Sequence, residues 1–427
     1  MCLALSGGRD SVVLLDVLKR LRASGATFDL TAIHVHHGLS AHADSWAAFC
    51  TQLCQQSAVP LRVVRVDVPR GSREGPEAAA RRLRLAAFAD CSAAWLALAH
   101  HRDDQAETVL FRLLRGAGVH GAAGMPAERA LGGDTRLIRP LLTVSGAAVA
   151  DYAQFCALTW IDDESNIDCR YRRNHLRREV MPRLAEHFPG AAESLARAGR
   201  HFAEAARLLD QLAAADRTRV AGEDGRIELG RLRELSAARA RNLLRCEWSK
   251  QGFRAPDARW LDEALRQLCA TDSDAAVCLA TPDGQLRVYR GALYLLPLRP
   301  SHRVDDELAW RGDAALPWSG GWVRFRLTTG EGISRRLFLQ EPVSLRQRQG
   351  GERFQPDHRR PRRPLRKLLQ EAAMPPWERE RLPLLWCGSR LAWVGGMGVD
   401  TACACSPNEE GMSVVWEADG GSLPADG

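Results

Sequence analysis

The chain has 427 residues, of which 45% are hydrophobic and 26% charged, and its formal net charge is +7. This length favours two to four domains, and the apolar fraction excludes an intrinsically disordered chain. No apolar run reaches the ~20 residues that a bilayer-spanning helix needs, and the N-terminus lacks the charged segment of a secretion signal. The sequence therefore predicts a globular cytoplasmic protein, whose basic excess permits a polyanionic partner.

The first half alternates short apolar runs with segments of helical periodicity. Strands are predicted at residues 2–5, 30–33, 61–66, 95–99 and 136–138, and helices at residues 12–21, 43–56, 77–89, 104–114 and 145–155. Such alternation is typical of an α/β fold, in which helices cover both faces of a doubly wound parallel sheet. In these folds ligands bind beyond the carboxyl ends of the strands, and we expect the functional site at that edge.

The pattern changes after about residue 165 and predicts further units. We divide the chain into a first domain (residues 1–185), a helical linker (186–220), a helical or α+β middle domain (221–300), a second linker rich in Pro and Trp (301–320), a small α+β C-terminal domain (321–417) and a frayed tail (418–427). A helix is predicted at residues 365–371 of the C-terminal domain. Chemistry is therefore expected in the first domain, and accessory functions in the others.

The turn between the first strand and the first helix predicts a phosphate site. Its sequence is Ser6-Gly7-Gly8-Arg9-Asp10-Ser11. Two adjacent glycines let backbone N–H groups approach an anion, and the start of the following helix adds a partial positive charge. The Walker A and G-x-G-x-x-G patterns are both missing. The S-G-G-x-D-S pattern instead resembles the PP-loop of the ATP pyrophosphatases, which implies that residues 6–11 bind ATP and that Asp10 helps to hold Mg²⁺.

Later segments narrow the resemblance to one family. They are residues 33–39 (IHVHHGL), 77–81 (EAAAR), 99–108 (AHHRDDQAET), 139–142 (RPLL), 160–166 (WIDDESN) and 173–177 (RNHLR), followed more weakly by residues 286–290 (LRVYR), 348–352 (RQGGE), 365–371 (LRKLLQE) and 374–377 (MPPW). In this order they resemble the tRNA(Ile)-lysidine synthetase family, in its long three-part bacterial form. The resemblance departs at Arg366, where a Lys is common. The family's usual segment before the first strand is also missing, which leaves open a start further upstream.

The resemblance implies a two-step ligation. The C2 oxygen of the wobble cytidine in a CAU anticodon of tRNA(Ile) attacks the α-phosphate of ATP, and pyrophosphate leaves. The amine of free L-lysine then displaces AMP, giving lysidine and changing the codon read from AUG to AUA. ATP is the co-substrate, Mg²⁺ the expected metal, and the middle and C-terminal domains are expected to recognise the tRNA. The oligomeric state stays open, with a homodimer among the alternatives.

The same resemblance assigns roles to residues. Catalytic roles fall to Asp10, His101, Asp104 and Arg81; ATP binding to Ser6, Gly7, Gly8, Arg9, Asp10, Ser11, Ile33 and His34; lysine binding to Asp103 and Asp104; and phosphate or tRNA contacts to Arg173, Asn174, Arg177, Arg359, Arg360, Arg362, Arg363, Arg366 and Lys367. Asp103 and Asp104 follow the fourth predicted strand, so the fold itself places them at the edge that carries the loop. Helix capping by the two aspartates, and a solvated face for the arginines, are the structural alternatives.

Other functions fit the sequence less well. A tRNA thiolase of the same fold usually needs paired catalytic cysteines or an iron–sulfur site, but Cys50, Cys54 and Cys91 lie on predicted helices or just after one. No cysteine pair has zinc-ligand spacing. A non-catalytic RNA-binding module would not need an intact loop at residues 6–11. A small-molecule amidotransferase-type synthetase is disfavoured, because no glutaminase domain is present.

Overall fold

The computed structural model describes residues 1–38, 40–69, 76–91, 93–162, 164, 172–270, 277–298 and 307–418. The chain forms two compact units, Met1–Thr218 and Arg219–Gly427. Among the described residues, no helix combines the length and apolar character that crossing a membrane requires.

The first unit is built on a six-stranded sheet with strand order β3-β2-β1-β4-β6-β5. Its strands are β1 (Cys2–Ala4), β2 (Thr31–His36), β3 (Leu61–Arg65), β4 (Trp95–Ala97), β5 (Glu128–Gly132) and β6 (Thr135–Ile138). The ladders joining β3, β2, β1, β4 and β6 are parallel, whereas β5 pairs antiparallel with β6 at the edge. The predicted doubly wound α/β fold is confirmed, and β5 is an addition that the apolar pattern did not predict.

Helices follow the strands as the periodicity predicted. They are α1 (Arg9–Ala23), α2 (Ala43–Gln56), α3 (Pro76–Ala89), α4 (Arg102–Leu114), α5 (Val119–Ala122), α6 (Gly146–Phe155), α7 (Arg172–His175), a π-helical segment (Leu176–Val180), α8 (Met181–His187) and α9 (Ala191–Val220). Helices α1, α2 and α6 enclose one apolar cluster with β1 and β2, in which Leu3, Leu14 and Cys50 are buried. Burial of this cluster fixes the strands, and their carboxyl ends meet at one edge.

The second unit is mixed α+β. Its helices are α10 (Leu229–Arg233), α11 (Ala237–Lys250), α12 (Ala258–Ala270), α13 (Arg335–Gln340), α14 (Leu365–Glu371) and α15 (Pro376–Arg379), and its strands are β7 (Ile227–Glu228), β8 (Cys278–Ala280), β9 (Gly284–Tyr289), β10 (Ala292–Pro297), β11 (Glu307–Ala309), β12 (Ala315–Pro317), β13 (Gly321–Thr329), β14 (Ile333–Ser334), β15 (Val343–Arg346), β16 (Arg353–Phe354), β17 (Arg363–Pro364), β18 (Leu384–Cys387), β19 (Arg390–Val394), β20 (Gly398–Val399) and β21 (Glu410–Ala418). The sheets have the orders β7-β10-β9-β8, β11-β15-β18-β19-β20, β12-β13-β21-β14 and β16-β17.

Part of the stretch predicted as a linker at residues 301–320 belongs to the C-terminal fold. Strand β11 pairs with β15, and β12 pairs with β13. Trp318 is 1% exposed, and the ring of Trp310 lies 4.9 Å from that of Phe338. Burial of these two indoles ties the segment to the core, so the density of Trp and Pro was a poor indicator of a linker. Residues 301–306 and the predicted tail from residue 419 lie outside the described residues.

Candidate active site at the carboxyl edge of the sheet

The turn after β1 requires a glycine at position 7. Gly7 has a φ of 89°, a value that side-chain-bearing residues rarely adopt. A Cβ atom there would lie 2.8 Å from Cδ1 of Ile161 and 3.1 Å from Sγ of Cys50. The N–H of Ile161 also donates to the carbonyl of Gly7 at 3.0 Å. The loop is therefore held between α2 and the segment that carries Ile161, and its shape is fixed before any ligand arrives.

The loop contains two serine hydroxyls and the N-terminus of α1. Gly8 is the N-cap of α1, so no N-cap side chain accepts the first N–H groups of this helix. The Ser11 hydroxyl donates to the Gly8 carbonyl at 2.8 Å, and it lies 3.1 Å from the hydroxyl of Ser6. The first N–H groups of a helix have no acceptor within the helix and carry its positive dipole end. Residues 6–11 thus have the glycine turn and helix start on which the predicted anion site depends, and the Arg9 side chain is hydrogen-bonded to Asp10 at 2.9 Å.

Asp10 faces His101 across the edge of the sheet. Its Oδ2 atom lies 3.5 Å from Nε2 of His101. Burial alone would raise the pKa of Asp10, but His101 and Arg9 outweigh it and hold the pKa below its ordinary value. Burial would likewise lower the pKa of His101, yet the carboxylates of Asp10, Asp104 and Asp103 raise it. Asp10 is consequently a carboxylate at neutral pH, within the turn predicted to bind phosphate.

His101, at the N-terminus of α4, lies between Asp10 of the loop and a second carboxylate, that of Asp104. Nδ1 of His101 accepts hydrogen bonds from the N–H groups of Asp103 and Asp104 at 3.2 and 3.4 Å. Because Nδ1 is an acceptor in this cap, the ring proton of the neutral imidazole lies on Nε2. Nε2 lies 3.5 Å from Oδ2 of Asp104, the same distance that separates it from Asp10. One imidazole therefore stands between the loop and the first turn of α4.

The two aspartates predicted to bind lysine have different surroundings. Oδ2 of Asp103 accepts the N–H of Gly146 at 3.1 Å, so this side chain ties α4 to the start of α6. A Cβ at Gly146 would come within 2.6 Å of that oxygen. Asp104 instead accepts the N–H of His101 through Oδ2 at 3.0 Å and contacts Arg177 through Oδ1. Asp103 thus links two helices, whereas Asp104 caps its own helix and pairs with an arginine.

Glu107 completes a carboxylate pair that the sequence analysis missed. It lies one turn after Asp104 on α4 and is 4% exposed. Arg177 donates to both oxygens of Glu107 at 2.7 and 2.9 Å and to Oδ1 of Asp104 at 2.5 Å. Arg173 stands further off, 4.0 Å from Asp104 and 3.9 Å from Glu107. The i, i+3 spacing of two acids on a helix at the loop's edge was the signal that could have found Glu107.

The side-chain charges around His100 are predominantly positive. Burial lowers the pKa of His100 to about 4, with Asp104 opposing the shift and Arg139, Arg173 and Arg81 adding to it. Nδ1 of His100 is buried without a hydrogen-bond partner among the described residues. Burial also lowers the pKa of Arg139 to about 10. Arg81, the arginine predicted from the third helix, lies on α3 with an exposed side chain. Its positive charge is one of those that lower the pKa of His100.

Ile33 and His34, which were predicted to bind ATP, lie within the sheet. The carbonyl of Ile33 accepts the N–H of Leu5 at 2.9 Å, and its side chain is buried. Nδ1 of His34 is hydrogen-bonded to the carbonyl of Leu5 at 2.9 Å, and burial lowers the pKa of this ring. Both residues therefore support the strand that leads into the loop. Asn174 is half-buried on α7, and residues 163 and 165–171 lie outside the described part of the chain.

The structure separates the predicted basic residues of the C-terminal domain into two groups. Arg362 pairs with Asp400, whose exposure is 0%, and Arg363 pairs with Glu371 at 2.5 Å. For the other predicted cations, the described residues provide no side-chain partner; these are Arg359, Arg360, Arg366 and Lys367. A cavity of about 340 Å³ nearby is lined by Arg353, Arg362, Arg390 and Trp386, among others. The unpaired cations are the ones available to a polyanion.

The cysteines near the loop are packing residues. Burial raises the pKa of Cys50 to about 12 and that of Cys54 to about 11. Nucleophilic sulfur chemistry requires a thiolate, and these two thiols stay protonated at neutral pH. Within the described ranges, no group of three or more His, Cys, Asp or Glu side chains is arranged to hold a metal ion. The raised pKa values of Cys50 and Cys54 disfavour the thiolase alternative.

Comparison with known proteins covers all three parts of the chain. Residues 1–184 match the model of the PP-loop domain, residues 228–294 that of the TilS substrate binding domain, and residues 343–416 that of the TilS substrate C-terminal domain.

Curated relatives match over nearly the whole length. A tRNA(Ile)-lysidine synthase of Aromatoleum aromaticum is 44% identical over 418 residues, which cover 98% of this chain and 97% of the relative. One from Nitrosomonas europaea is 40% identical over 420 residues, or 97% of this chain and 91% of the relative. One from Xanthomonas campestris pv. campestris is 43% identical over 399 residues, or 92% and 89%. With its loop geometry and all three domains matched, the chain belongs to the tRNA(Ile)-lysidine synthase family.

Proposed function

We propose that this protein joins free L-lysine to C2 of the wobble cytidine in the CAU anticodon of tRNA(Ile), using ATP and releasing AMP and pyrophosphate. The reaction has two parts that the site must serve together: activation of the cytidine by adenylation, and attack by an amine. A site for the first needs anion binding and charge neutralisation at phosphate, and a site for the second needs a proton acceptor.

One observation carries the proposal: Nε2 of His101 lies 3.5 Å from both Asp10 and Asp104. Asp10 belongs to the phosphate-binding turn, and Asp104 belongs to the carboxylate pair on α4. A triphosphate held at residues 6–11 would therefore have its α-phosphate end within reach of the acids that an amine needs.

In the adenylation step the loop supplies donors and the arginines supply charge. The N–H groups at the start of α1 and the hydroxyls of Ser6 and Ser11 would hold the leaving pyrophosphate. Arg81 would neutralise charge that develops on the phosphates. Asp10, the predicted magnesium ligand, contacts Arg9 through Oδ1 and His101 through Oδ2, and its side chain is 33% exposed. Mg²⁺ typically uses one or two protein carboxylates together with phosphate oxygens and water, so a single aspartate at this turn fits an ion that arrives with ATP and shields its phosphate charge.

In the transfer step the lysine amine must lose its proton before it attacks C2. Burial raises the pKa of Glu107, although Arg177, the largest opposing influence, lowers it. A raised carboxyl pKa makes a better proton acceptor near neutral pH. We therefore assign proton acceptance to the Asp104–Glu107 pair, with His101 holding Asp104 and Asp10 in place. Asp103 supports this arrangement from α6 rather than touching the amine.

The unpaired cations of the C-terminal domain would bind the tRNA backbone. Arg359, Arg360, Arg366 and Lys367 are exposed on and before α14. Contacts of this kind position a nucleic acid without reading its sequence. Arg173 and Asn174 on α7 are the candidates for phosphate contacts beside the catalytic edge.

The test is incubation with ATP, labelled L-lysine and a tRNA(Ile) transcript with a CAU anticodon. Lysine should enter the wild-type transcript and should fail to enter one in which the wobble C is replaced by U. Asp10→Ala should abolish AMP release, while Asp16→Ala, on the same helix, should leave it intact. Lysine incorporation into the U-containing transcript, or AMP release by Asp10→Ala at the wild-type rate, would contradict the proposal.

A further inference from the structure

The carboxylate pair on α4 is already occupied by a cation of the protein itself. The guanidinium of Arg177 spans Asp104 and Glu107 with three hydrogen bonds of 2.5 to 2.9 Å. This fork-like contact satisfies both oxygens of Glu107 and one of Asp104. The substrate that the proposed function places here, L-lysine, is also a cation. Two cations cannot neutralise the same two acids in the same place.

The two buried carboxylates need a counter-ion at all times. Glu107 is 4% exposed and Asp104 is 7% exposed, and a buried acid without a counter-ion costs several kcal/mol. Arg177 removes that cost in the absence of substrate. Its side chain is nevertheless 41% exposed on the other side, so the guanidinium can turn outward into solvent, or toward a phosphate, without crossing the core.

The backbone at Arg177 is irregular. Residues Leu176–Val180 form a π-helix between α7 and α8. Short π-helical stretches are uncommon, and they occur frequently at functional sites. The segment is anchored from one side by Leu176, which is buried, while Arg177 and Arg178 are exposed. It therefore presents Arg177 to the acids from an element whose backbone geometry differs from that of the α-helices on either side.

We propose that Arg177 is an exchangeable counter-ion, which fills the ammonium position of the lysine site in the free enzyme and is displaced when lysine binds. This inference rests on the proposed function, because it takes L-lysine as the ligand. Once displaced, the guanidinium is released on the side that faces solvent, where it can contact a phosphate of ATP or tRNA. Lysine binding and anion binding would thereby reinforce each other. Arg173, which stays 3.9 to 4.0 Å from the same acids, does not fill the position.

The exchange predicts an unusual effect of substitution. In Arg177→Gln no guanidinium occupies Asp104 and Glu107, so the lysine ammonium group no longer competes with a side chain of the protein for these two carboxylates. If the site of the free wild-type enzyme is filled at least nine-tenths of the time, the Kd of L-lysine should fall by about tenfold or more. Arg178→Gln is the matched control: it removes the same charge from the adjacent, exposed residue of the same π-helical segment without emptying the carboxylates. Equilibrium dialysis with labelled L-lysine measures both.

A second measurement uses the unaltered enzyme. Phenylglyoxal modifies accessible arginines, and mass spectrometry reads the extent at each position. L-Lysine should increase modification of Arg177 and leave that of Arg183 unchanged, with glycine at equal concentration controlling for reaction of the reagent with amines.

The outcomes separate the two proposals. A wild-type enzyme that incorporates lysine, while Arg177→Gln binds it no more tightly than wild type or Arg178→Gln tightens it equally, contradicts the exchange alone. Unchanged modification of Arg177 on addition of lysine does the same. A wild-type enzyme that neither binds nor incorporates lysine contradicts the proposed function and the exchange together.

Discussion

His101 and Asp104 cap the same turn of α4 in opposite directions. Nδ1 of His101 accepts the N–H of Asp104 at 3.4 Å, and Oδ2 of Asp104 accepts the N–H of His101 at 3.0 Å. The residues that we assign to chemistry thus also start the helix that holds them. Capping and the proposed catalytic role do not exclude each other at Asp104, because Oδ2 caps the helix while Oδ1 faces Arg177.

Replacing Asp104 by Asn should separate these two roles. Asparagine keeps an acceptor for the N–H of His101 but loses the charge. We expect tRNA-dependent ATP–pyrophosphate exchange to persist and lysine transfer to fall by about 100-fold, in the range typical of removing an acid–base group. Asp104→Ala should in addition lower the free energy of unfolding by about 1 kcal/mol, because the cap is lost. Equal loss of exchange and transfer in Asp104→Asn would contradict the division.

Gly7→Ala should distort the loop. The φ of 89° and the 2.8 Å approach to Ile161 leave no room for a methyl group. A positive φ costs a non-glycine residue about 1–2 kcal/mol, and overlap adds to it. The thermal midpoint of the ligand-free protein should fall by several degrees. Gly8→Ala is the control, because Gly8 has a φ of −73° and its nearest neighbour would be 3.5 Å away; an equal loss there would contradict the explanation.

The low pKa of His100 predicts a pH dependence of stability. Burial lowers this pKa from 6.5 to about 4, so the unfolded chain takes up a proton at a higher pH than the folded one. The contribution of neutral His100 is therefore complete above pH 6.5 and is lost as the pH falls toward 4. His100→Gln should flatten the decline of the unfolding midpoint across that interval. His34, whose pKa burial also lowers, acts in the same direction and should leave a residual slope.

Arg362 and Arg363 are neighbours with different roles in stability. Arg362 pairs with the fully buried Asp400, whereas Arg363 pairs with Glu371, which is half exposed. Loss of the partner of a buried charge typically costs ~3 kcal/mol, and loss of a surface pair at most ~1. Arg362→Gln should therefore lower the denaturant midpoint far more than Arg363→Gln. Equal effects would contradict the assignment of Arg362 to the fold.

Arg359 and Arg360 should act on tRNA rather than on the fold. Each phosphate contact contributes roughly one unit to the slope of log K against log salt concentration. The double variant Arg359→Gln/Arg360→Gln should flatten that slope by about 1–2 and leave the unfolding midpoint unchanged. Arg311→Gln, which removes one exposed charge elsewhere in the same unit, provides the control. A titration of filter-bound tRNA across salt would measure this, and an unaltered slope would contradict the contact.

Much of the catalytic unit could be predicted because its local and tertiary signals agree. Helix α2 was predicted with the bounds Ala43–Gln56 that the structure has, and the apolar runs gave the parallel strands. Strand β5 escaped because its sequence, Glu128-Arg129-Ala130-Leu131-Gly132, is largely polar or small, as an edge strand permits. Its place is set by pairing with β6, which a local pattern cannot reveal.

The site was predicted in part for the same reason. The loop could be predicted because two glycines stand between the first strand and the first helix. Asp104 could be predicted because it follows the fourth strand. Glu107 lies among Ala and Thr on a helix and resembles a solvated residue; its burial arises from Arg177, which is 70 residues away in sequence. Similarly, Trp318 lies in a stretch that resembles a linker in sequence. In the structure its indole N–H donates to the carbonyl of Arg381 at 2.9 Å, a contact that a local pattern cannot reveal.

The π-helix at Leu176–Val180 has a consequence for how this segment tolerates changes in length. A π-helical turn holds about one more residue than an α-helical turn, and each residue of an α-helix advances the side chains by about 100°. Deleting Glu179 would let the segment relax into a continuous α-helix, at little cost in folding. Because the α turn closes with one residue fewer than the π turn, the residues before the deletion would keep nearly the same direction relative to α8. A deletion within α8 itself would instead turn them by about 100°, so the π turn is the place where this segment can lose one residue and still direct Arg177 at α4.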